Sequence, residues 1–387
     1  MIKRILGLGL AVALLVQPAA AQVKVGFIAT FSGPAGLLGQ HLYDGFMLGI
    51  DHSGSKLGGL TPEVIKEDDR LAPDVGLQVA KKLVERDKVD VISGIVFSNV
   101  MMAIYKPIID TGTPIVSANS GPSPIAGAQC SPLFVNTSWQ NDGPHEAMGK
   151  HVQDKGYKNV YIMAPNYQAG KDALEGFKRF FKGKLADEVY TTVNQLDYSA
   201  EIAQLRAAKP DAVYVFYPGG MGVNFVKQYA QAGLLKDVPL FSAFTIDATT
   251  LEAQGDAAIG TFQTAFWAFD LKNPVNEKFV TDFRKKYNYM PSTYSAQAYD
   301  AALLLNAAIK GTGGKVGDKK ALAAAMKTAK FDSVRGGQLK LNTNNFPIQS
   351  YYLLETVKGA DGKLVSSNRG VVLADYGDVY AKDCPMK

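Results

Sequence analysis

The chain predicts an α/β fold built of two similar halves, each a parallel sheet with helices on both faces. Three observations carry this. Short β-rich runs alternate with amphipathic helical segments. The alternation breaks once and then restarts. A length of 387 residues also exceeds the size at which a single hydrophobic core stops growing.

The first 21 residues stand apart from that pattern. Lys3 and Arg4 precede an apolar run over 5–16, followed by Gln17-Pro18 and Ala19-Ala20-Ala21. Charge, then apolar residues, then small residues is the order of a secretory signal. The apolar run, about 12 residues, is short of the roughly 20 that span a bilayer as a helix, and no later stretch approaches that length. Cleavage near Gln22 leaves 387 − 21 = 366 residues. An uncleaved anchor is the alternative; a lipid anchor has no Cys near the cleavage site to carry it.

A strand at 23–30 leads through a Gly/Pro loop into a helix at 37–50, and a strand at 62–68 ends in Glu67-Asp68-Asp69. The helix at 74–86 places Val75, Val79 and Leu83 on one stripe. A strand at 89–94, a helix at 98–110 and a strand at 114–118 continue the beat. Ser120-Gly121-Pro122-Ser123-Pro124 then interrupts it, ahead of Cys130 and an extended run at 133–139. After the break come helix 144–155, strand 159–164, helix 170–181, strand 188–193, helix 199–208, strand 212–217, helix 221–232, strand 240–242 and a return through 260–269. Helices at 275–287, 294–310 and 319–330 have no strands between them, so they are best used to cover the first sheet. Strand-like segments at 338–341, 348–355 and 369–373 close the chain.

That assignment makes the chain cross between halves near 139, 265 and 336. The expected domains are a signal at 1–21, a first lobe of 22–138 plus 266–335, and a second lobe of 139–265 plus 336–387. Three crossings form a hinge, and the carboxyl ends of two open sheets face a shared crevice.

Composition excludes several function classes. Lys and Arg number 41 against 36 Asp and Glu; removing Lys3 and Arg4 leaves 39 − 36 = +3, without basic runs. Nucleic acid is therefore not an expected partner. Two Cys and four scattered His give a metal site little support, and no cofactor is expected. Cys130 and Cys384, an even number in an exported chain, read as one disulfide tethering the C-terminal tail to a loop near the middle; two unpaired thiols are the alternative. G-x-S-x-G, H-E-x-x-H and a local Cys/His signature are missing, and residues 33–39 have neither dinucleotide glycine spacing nor a Walker Lys. An enzyme is not expected.

Residues 22 to about 379 resemble the type I periplasmic solute-binding proteins of ABC transporters, in the branched-chain amino acid (Leu/Ile/Val) receptor group. The resemblance is carried by Phe31-Ser32-Gly33-Pro34 with Gly39, Glu67-Asp68-Asp69, Ser93-Gly94 with Ser98-Asn99, Pro114-Ile115-Val116-Ser117 with Asn119-Ser120, YIMAPNYQAG at 161–170, Phe216-Tyr217-Pro218-Gly219-Gly220 and the run 294–301. Each motif is weak singly; their order over almost the whole mature chain is specific. The resemblance implies two Rossmann-like lobes joined by a three-segment hinge, in a periplasmic monomer that closes on a small solute and docks on membrane permease subunits.

Solute contacts are expected in the crevice loops. Ser98 and Asn99 open a helix after a strand, where backbone N–H groups receive a carboxylate; N-capping is the bland alternative for Ser98. The resemblance adds Asn119, Ser120 and Gly121 as a second set of carboxylate donors, with turn chemistry as their alternative. Leu38 and Phe97 give apolar walls, and Tyr167 fits the family's ring over bound solute. Tyr217, Pro218 and Gly219 sit at a strand end, where glycine permits close backbone approach. Arg70 can clamp an anion or pair with its acidic neighbours. His41 can reach the crevice or lie on the helix surface, and Asp300 reads as part of a solvated face.

Amino acid receptors of the group usually place an acid in the loop 243–247 for the ligand's α-ammonium. An ungapped comparison puts Phe244 there, and a buried ammonium without a carboxylate costs several kcal/mol. The expected ligand is therefore a small carboxylate on an aromatic body, of benzoate, cinnamate or phenylacetate type. Asp247, three residues on, restores the acid under a small gap, which keeps a branched-chain or other amino acid as the alternative. A ligand sensor for a separate membrane signalling protein is the alternative from another class.

Overall fold

The computed structural model describes residues 22–386. The signal expected at 1–21 lies outside them.

The first sheet is built from β1 (Gln22–Ala29), β2 (Thr61–Asp68), β3 (Val91–Gly94), β4 (Ile115–Ser117) and β5 (Phe134–Asn136), all parallel, in the order β2-β1-β3-β4-β5. Between them run α1 (Gly36–His52), α2 (Pro73–Lys81, prolonged by a π-helical turn at Lys82–Arg86), α3 (Ser98–Ile109) and the short α4 (Ser123–Ala126). β3, β4 and β5 are buried at every residue, as parallel strands covered on both faces must be.

The second sheet uses β6 (Asn159–Pro165), β7 (Lys184–Thr191), β8 (Ala212–Val215), β9 (Leu240–Ser242) and β10 (Phe262–Ala265), parallel in the order β10-β9-β8-β6-β7. α5 (Gly143–Asp154), α6 (Gln168–Phe180), α7 (Ser199–Ala208), α8 (Gly220–Gln231) and α9 (Leu251–Gln254) accompany it. The chain then returns to the first sheet with α10 (Pro274–Tyr287), α11 (Thr293–Gly311) and α12 (Lys319–Thr328), and ends on the second with β11 (Lys340–Leu341), β12 (Pro347–Lys358) and β13 (Leu364–Tyr376).

α11 does cover the first sheet, packing on α1 at very close range. A β-carbon at Gly45 would lie 2.0 Å from the Ser295 carbonyl oxygen, so only glycine fits there. β12 and β13 form one long antiparallel hairpin turning at residues 359–363, where the sequence shows only strand-like pieces at 348–355 and 369–373. The outer arm is half exposed and carries the polar stretch Ser366-Ser367-Asn368-Arg369, which separates its apolar pieces Leu364-Val365 and Val371-Val372-Leu373. Register shifts between Gln349 and Leu354 also break the two-residue period of its partner.

Three segments therefore pass between the sheets: after β5, after β10 and after α12. Arg335 of the third touches the other two. Its guanidinium donates to the Thr137 carbonyl of the first and stands 4.5 Å above the Phe266 ring of the second. Asp300, expected on a solvated face, is instead buried behind it, accepting from the Ser333 hydroxyl at 2.5 Å and lying 3.8 Å from Arg335 Nε. Its place on α11 hides the reason from the sequence, because the pairing group is 35 residues away (335 − 300).

Cys130 and Cys384 are joined as a disulfide, with Cα atoms 5.6 Å apart. The tail that carries Cys384 also rests on the second lobe, where the Tyr380 hydroxyl donates to Asp142 Oδ2 at 2.9 Å.

Candidate functional site

β3, β4, β6, β8 and β9 all end at the gap between the sheets, and three helices begin there. α3 starts at Ser98, α6 at Gln168 behind Tyr167, and α8 at Gly220 behind Gly219. Each helix start carries unpaired N–H groups and partial positive charge, which favour an anion. Gly219, at φ +64 and ψ −136, holds a conformation open to glycine alone.

The gap is closed. A β-carbon on Gly220 would lie 2.6 Å from Pro34 Cβ, so the first Gly/Pro loop sits directly on the start of α8. Leu38 packs beside it, with its Cδ1 3.4 Å from the β-carbon position of Gly219. Asp172 of α6 reaches back to the first lobe, accepting from Ser123 N at 3.1 Å and Ser123 Oγ at 2.7 Å.

Between these contacts lies a narrow cavity with about 20 Å³ of room for a water centre, on the scale of roughly one water molecule. Its apolar wall is a ring of aromatics: Phe97, Trp139, Tyr167, Phe216, Phe244 and Tyr294. Tyr167 lies near-parallel to Phe216 at 6.3 Å, and Trp139 stacks on Phe244 at 4.3 Å. Its polar wall is Ser98, Asn119, Ser120, Asn141 and His145. Ser98 Oγ lies 2.9 Å from Ser120 Oγ and receives the Asn141 amide at 3.1 Å, and the same amide donates to Asp172 at 2.8 Å. The Asn119 amide donates to the Val96 carbonyl at 2.5 Å, fixing the loop after β4 to the loop after β3.

No Asp, Glu, Lys or Arg lines this cavity among the described residues. His145 is fully buried, and burial lowers its pKa to about 3, so the imidazole is neutral at physiological pH. Its Nδ1 is bonded to the Tyr214 hydroxyl. Burial pushes the Tyr167 and Tyr294 phenols up, keeping both protonated. The wall thus offers hydroxyl and amide groups and helix starts, with no fixed charge.

Two wall loops hold strained backbone. Phe244 has φ +55 and Ile95, just before Val96, has φ +60, both rare for bulky side chains. Such residues cost on the order of 1–3 kcal/mol each and cluster at ligand sites.

The structure brings Phe97, Ser98, Asn119, Ser120, Tyr167, Pro218 and Phe244 together on the cavity. It places the other candidates elsewhere. Ser98 is the first helical residue of α3, and Phe97 holds the cap position. Asn99 is half-buried off the cavity, and Gly121 packs under the Trp139 carbonyl while its N–H donates to Asn141. Tyr217 turns into the second-lobe core against Tyr198 and Phe225, with its hydroxyl near Thr191. Leu38 and Gly219 meet each other at the lobe contact. Asp247 is buried in a separate cavity. Arg70 is exposed in the turn after β2, its N–H bonded to Asp68 and its guanidinium in no ion pair among the described residues. His41, far from exposed, is buried against Ser292 Oγ at 3.0 Å.

Trp139, Asn141, His145, Phe216 and Tyr294 were not legible as wall residues. A signal existed for two of them. Phe216 and Tyr217 are adjacent in a strand end, and a one-residue error in parity exchanges the core for the crevice. Trp139 stands at the first crossing, where a large ring must lie near both lobes.

Among the described residues no group of His, Cys, Asp or Glu is arranged to hold a metal, and no helix is long and apolar enough to cross a membrane.

A family model described as periplasmic binding protein matches residues 22–363. The Leu/Ile/Val-binding protein homolog 6 of Brucella melitensis biotype 1 is 31% identical over 353 residues, covering 88% of this chain and 89% of that protein. An ABC-transporter solute-binding protein from R. palustris, solved in complex with benzoate, is 34% identical with a TM-score of 0.88, covering 92% of this chain and 98% of that one. Another, from Rhodopseudomonas palustris BisB5 in complex with 3,4-dihydroxybenzoic acid, is 29% identical with a TM-score of 0.87, covering 93% and 99%.

Proposed function

The chain belongs to the periplasmic binding protein family, and we propose that it is the periplasmic receptor of an ABC importer that closes, as a monomer, on a small aromatic carboxylate of benzoate type and delivers it to membrane permease subunits. It is a solute-binding protein and not an enzyme.

The observation that carries the ligand class is the cavity wall: aromatic rings from both lobes and the first crossing, and no carboxylate to receive an ammonium. A ring sandwiched between such faces gains about 0.5–1.5 kcal/mol per aromatic pair beyond its area burial. The ligand carboxylate is met by the start of α3 with the Ser98 and Ser120 hydroxyls, and by the start of α6 with the protonated Tyr167. The neutral imidazole of His145 and the Asn141 amide complete the polar side. Because these groups come from both lobes, the ligand stabilises the closed arrangement over an open one, and the closed form is what a permease recognises. The benzoate and 3,4-dihydroxybenzoic acid complexes described above support the same class.

A branched-chain amino acid is the second reading, favoured by the names of the curated relatives. Calorimetric titration with benzoate, 4-hydroxybenzoate, cinnamate and leucine separates the two. An aromatic acid is expected to bind with micromolar or tighter affinity and leucine weakly or not at all; leucine as the tightest ligand would sink the proposal.

A further inference from the structure

Beside the cleft, on the flank of the second crossing, lies a cavity of about 410 Å³. It shares no lining residue with the aromatic-walled cavity. Its walls come from both lobes and the crossing between them: Leu251 from α9, Trp267 and Phe269 from the crossing, Met290 from the turn before α11, and Val365 from β13. Size and apolar lining both match small-molecule sites, which run to roughly 300–1,000 Å³.

One polar group in this wall is unfinished. Asp247 is 3% exposed, and its Oδ1 accepts from Thr249 N at 2.7 Å and Thr249 Oγ1 at 2.5 Å. Oδ2 is buried with no hydrogen-bond partner among the described residues. A buried acceptor left unpaired costs about 1–3 kcal/mol, and more when charged, so the atom marks a place for a donor. The surrounding charge specifies the donor's sign. Glu252 and Asp256 line the same wall, Asp256 paired with Lys358 at 3.4 Å, and Lys363 is the one cation among the lining residues. With Asp256 paired to Lys358, Asp247 and Glu252 stand against Lys363 alone, a balance that favours a cation, and Trp267 and Phe269 offer faces to which a cation or a second ring is attracted.

We propose that this cavity is a second binding site, for a small aromatic ammonium of the arylalkylamine class, whose nitrogen donates to Asp247 Oδ2 and whose ring packs among Trp267, Phe269 and Met290. Its walls are complete only while the lobes are together. Occupancy therefore favours the closed state and raises affinity in the cleft, and cleft ligand raises affinity here by the same factor. This coupling rests on the proposed function; the site itself does not.

The test uses 2-phenylethylamine as probe, titrated by calorimetry and ligand-observed NMR into the wild-type chain, Asp247→Asn and Val365→Trp. Asp247→Asn keeps an Oδ1 acceptor for Thr249 and removes the charge. Val365→Trp fills the cavity from the hairpin and touches no cleft residue. Saturable binding at one site is expected, weakened at least ten-fold in both variants, with benzoate affinity unchanged in Val365→Trp. Lack of saturable binding overturns the site, as does wild-type affinity for the amine in either variant. Competitive displacement of the amine by benzoate in the wild type also overturns it, because the probe would then occupy the cleft. A chain that binds the amine at this site and fails to bind any aromatic acid would overturn the proposed function alone.

Discussion

Trp139 stacks on Phe244 with ring centroids 4.3 Å apart and planes 24° apart. Trp139 belongs to the first crossing and Phe244 to the loop after β9, so the pair joins the hinge to the cavity wall. Trp139 also stacks on Phe266 of the second crossing at 5.5 Å, and Phe266 carries the Arg335 guanidinium of the third at 4.5 Å. Four flat groups thus run in continuous contact from the hinge to the ligand cavity.

Removing the ring at the cavity end tests its share of binding. Phe244→Ala is expected to weaken benzoate binding about 10- to 100-fold, the equivalent of about 1.4–2.8 kcal/mol, measured by calorimetry. The backbone gives a second readout. At φ +55 glycine is unstrained and alanine is not, so Phe244→Gly should melt no lower than Phe244→Ala although it buries less. Unchanged affinity would remove Phe244 from the site.

Asp172 of α6 ties the second lobe to the first through Ser123, and it also accepts from Asn141, just past the first crossing. Asp172→Ala removes the acceptor of the half-buried Ser123 N–H and hydroxyl and one of the two acceptors of the Asn141 amide, at up to about 1–3 kcal/mol for each donor left unpaired. A larger radius of gyration in ligand-free scattering and at least ten-fold weaker aromatic-acid binding are expected. Scattering identical to wild type with full affinity would show that closure does not depend on it.

At the hinge, Arg335→Met strands Asp300 without its cation, a change that typically costs about 3–5 kcal/mol for a buried pair. Arg335→Met/Asp300→Leu removes both charges and should recover much of the loss in a denaturant midpoint. A double variant as unstable as the single one would assign the cost to lost packing over Phe266.

Glu146 gives stability a pH dependence. Burial raises its pKa from 4.5 to about 7, opposed by Arg179, whose Nε lies 3.2 Å from Glu146 Oε1. The folded state holds this proton to higher pH than the unfolded chain does. Its contribution is therefore fully present below about pH 4.5 and lost as pH rises through about 7, by at most about 3 kcal/mol. Glu146→Gln has no proton to lose there, and its urea midpoint should fall less between pH 4.5 and 7 than that of wild type. Parallel curves would rule the group out.

The sheets and most helices were legible because buried parallel strands such as 91–94 read as continuous apolar runs and the helices between them carry a clear stripe. Of the β12–β13 hairpin only the pieces 348–355 and 369–373 were legible, since the polar stretch 366–369 of its outer arm leaves no periodic mark. Legibility in the site depended on backbone position. Ser98, Ser120 and Tyr167 stand at strand-to-helix junctions, which sequence rhythm locates well. Trp139, Asn141 and His145 entered the wall through the path of the first crossing, a three-dimensional fact that spacing along the chain does not encode. Asp300 and Arg335 were missed for the same reason, each being a plain charge until the two lobes are assembled.

The Cys130–Cys384 bond also decides which parts of the molecule bear a mechanical load. A pull applied between Gln22 and Met386 passes through the sulfur atoms and bypasses the 254-residue interval between them, which holds β5, the whole second sheet and α10–α12. At roughly 3.4 Å per extended residue, about 860 Å of chain stays out of the stretched contour until the bond is reduced. In the oxidised protein the tension is carried by β1–β4 and their helices alone; the hinge and the second cavity lie inside the shielded ring, while the aromatic-walled cavity straddles its edge, with Phe97, Ser98, Asn119 and Ser120 on the loaded side.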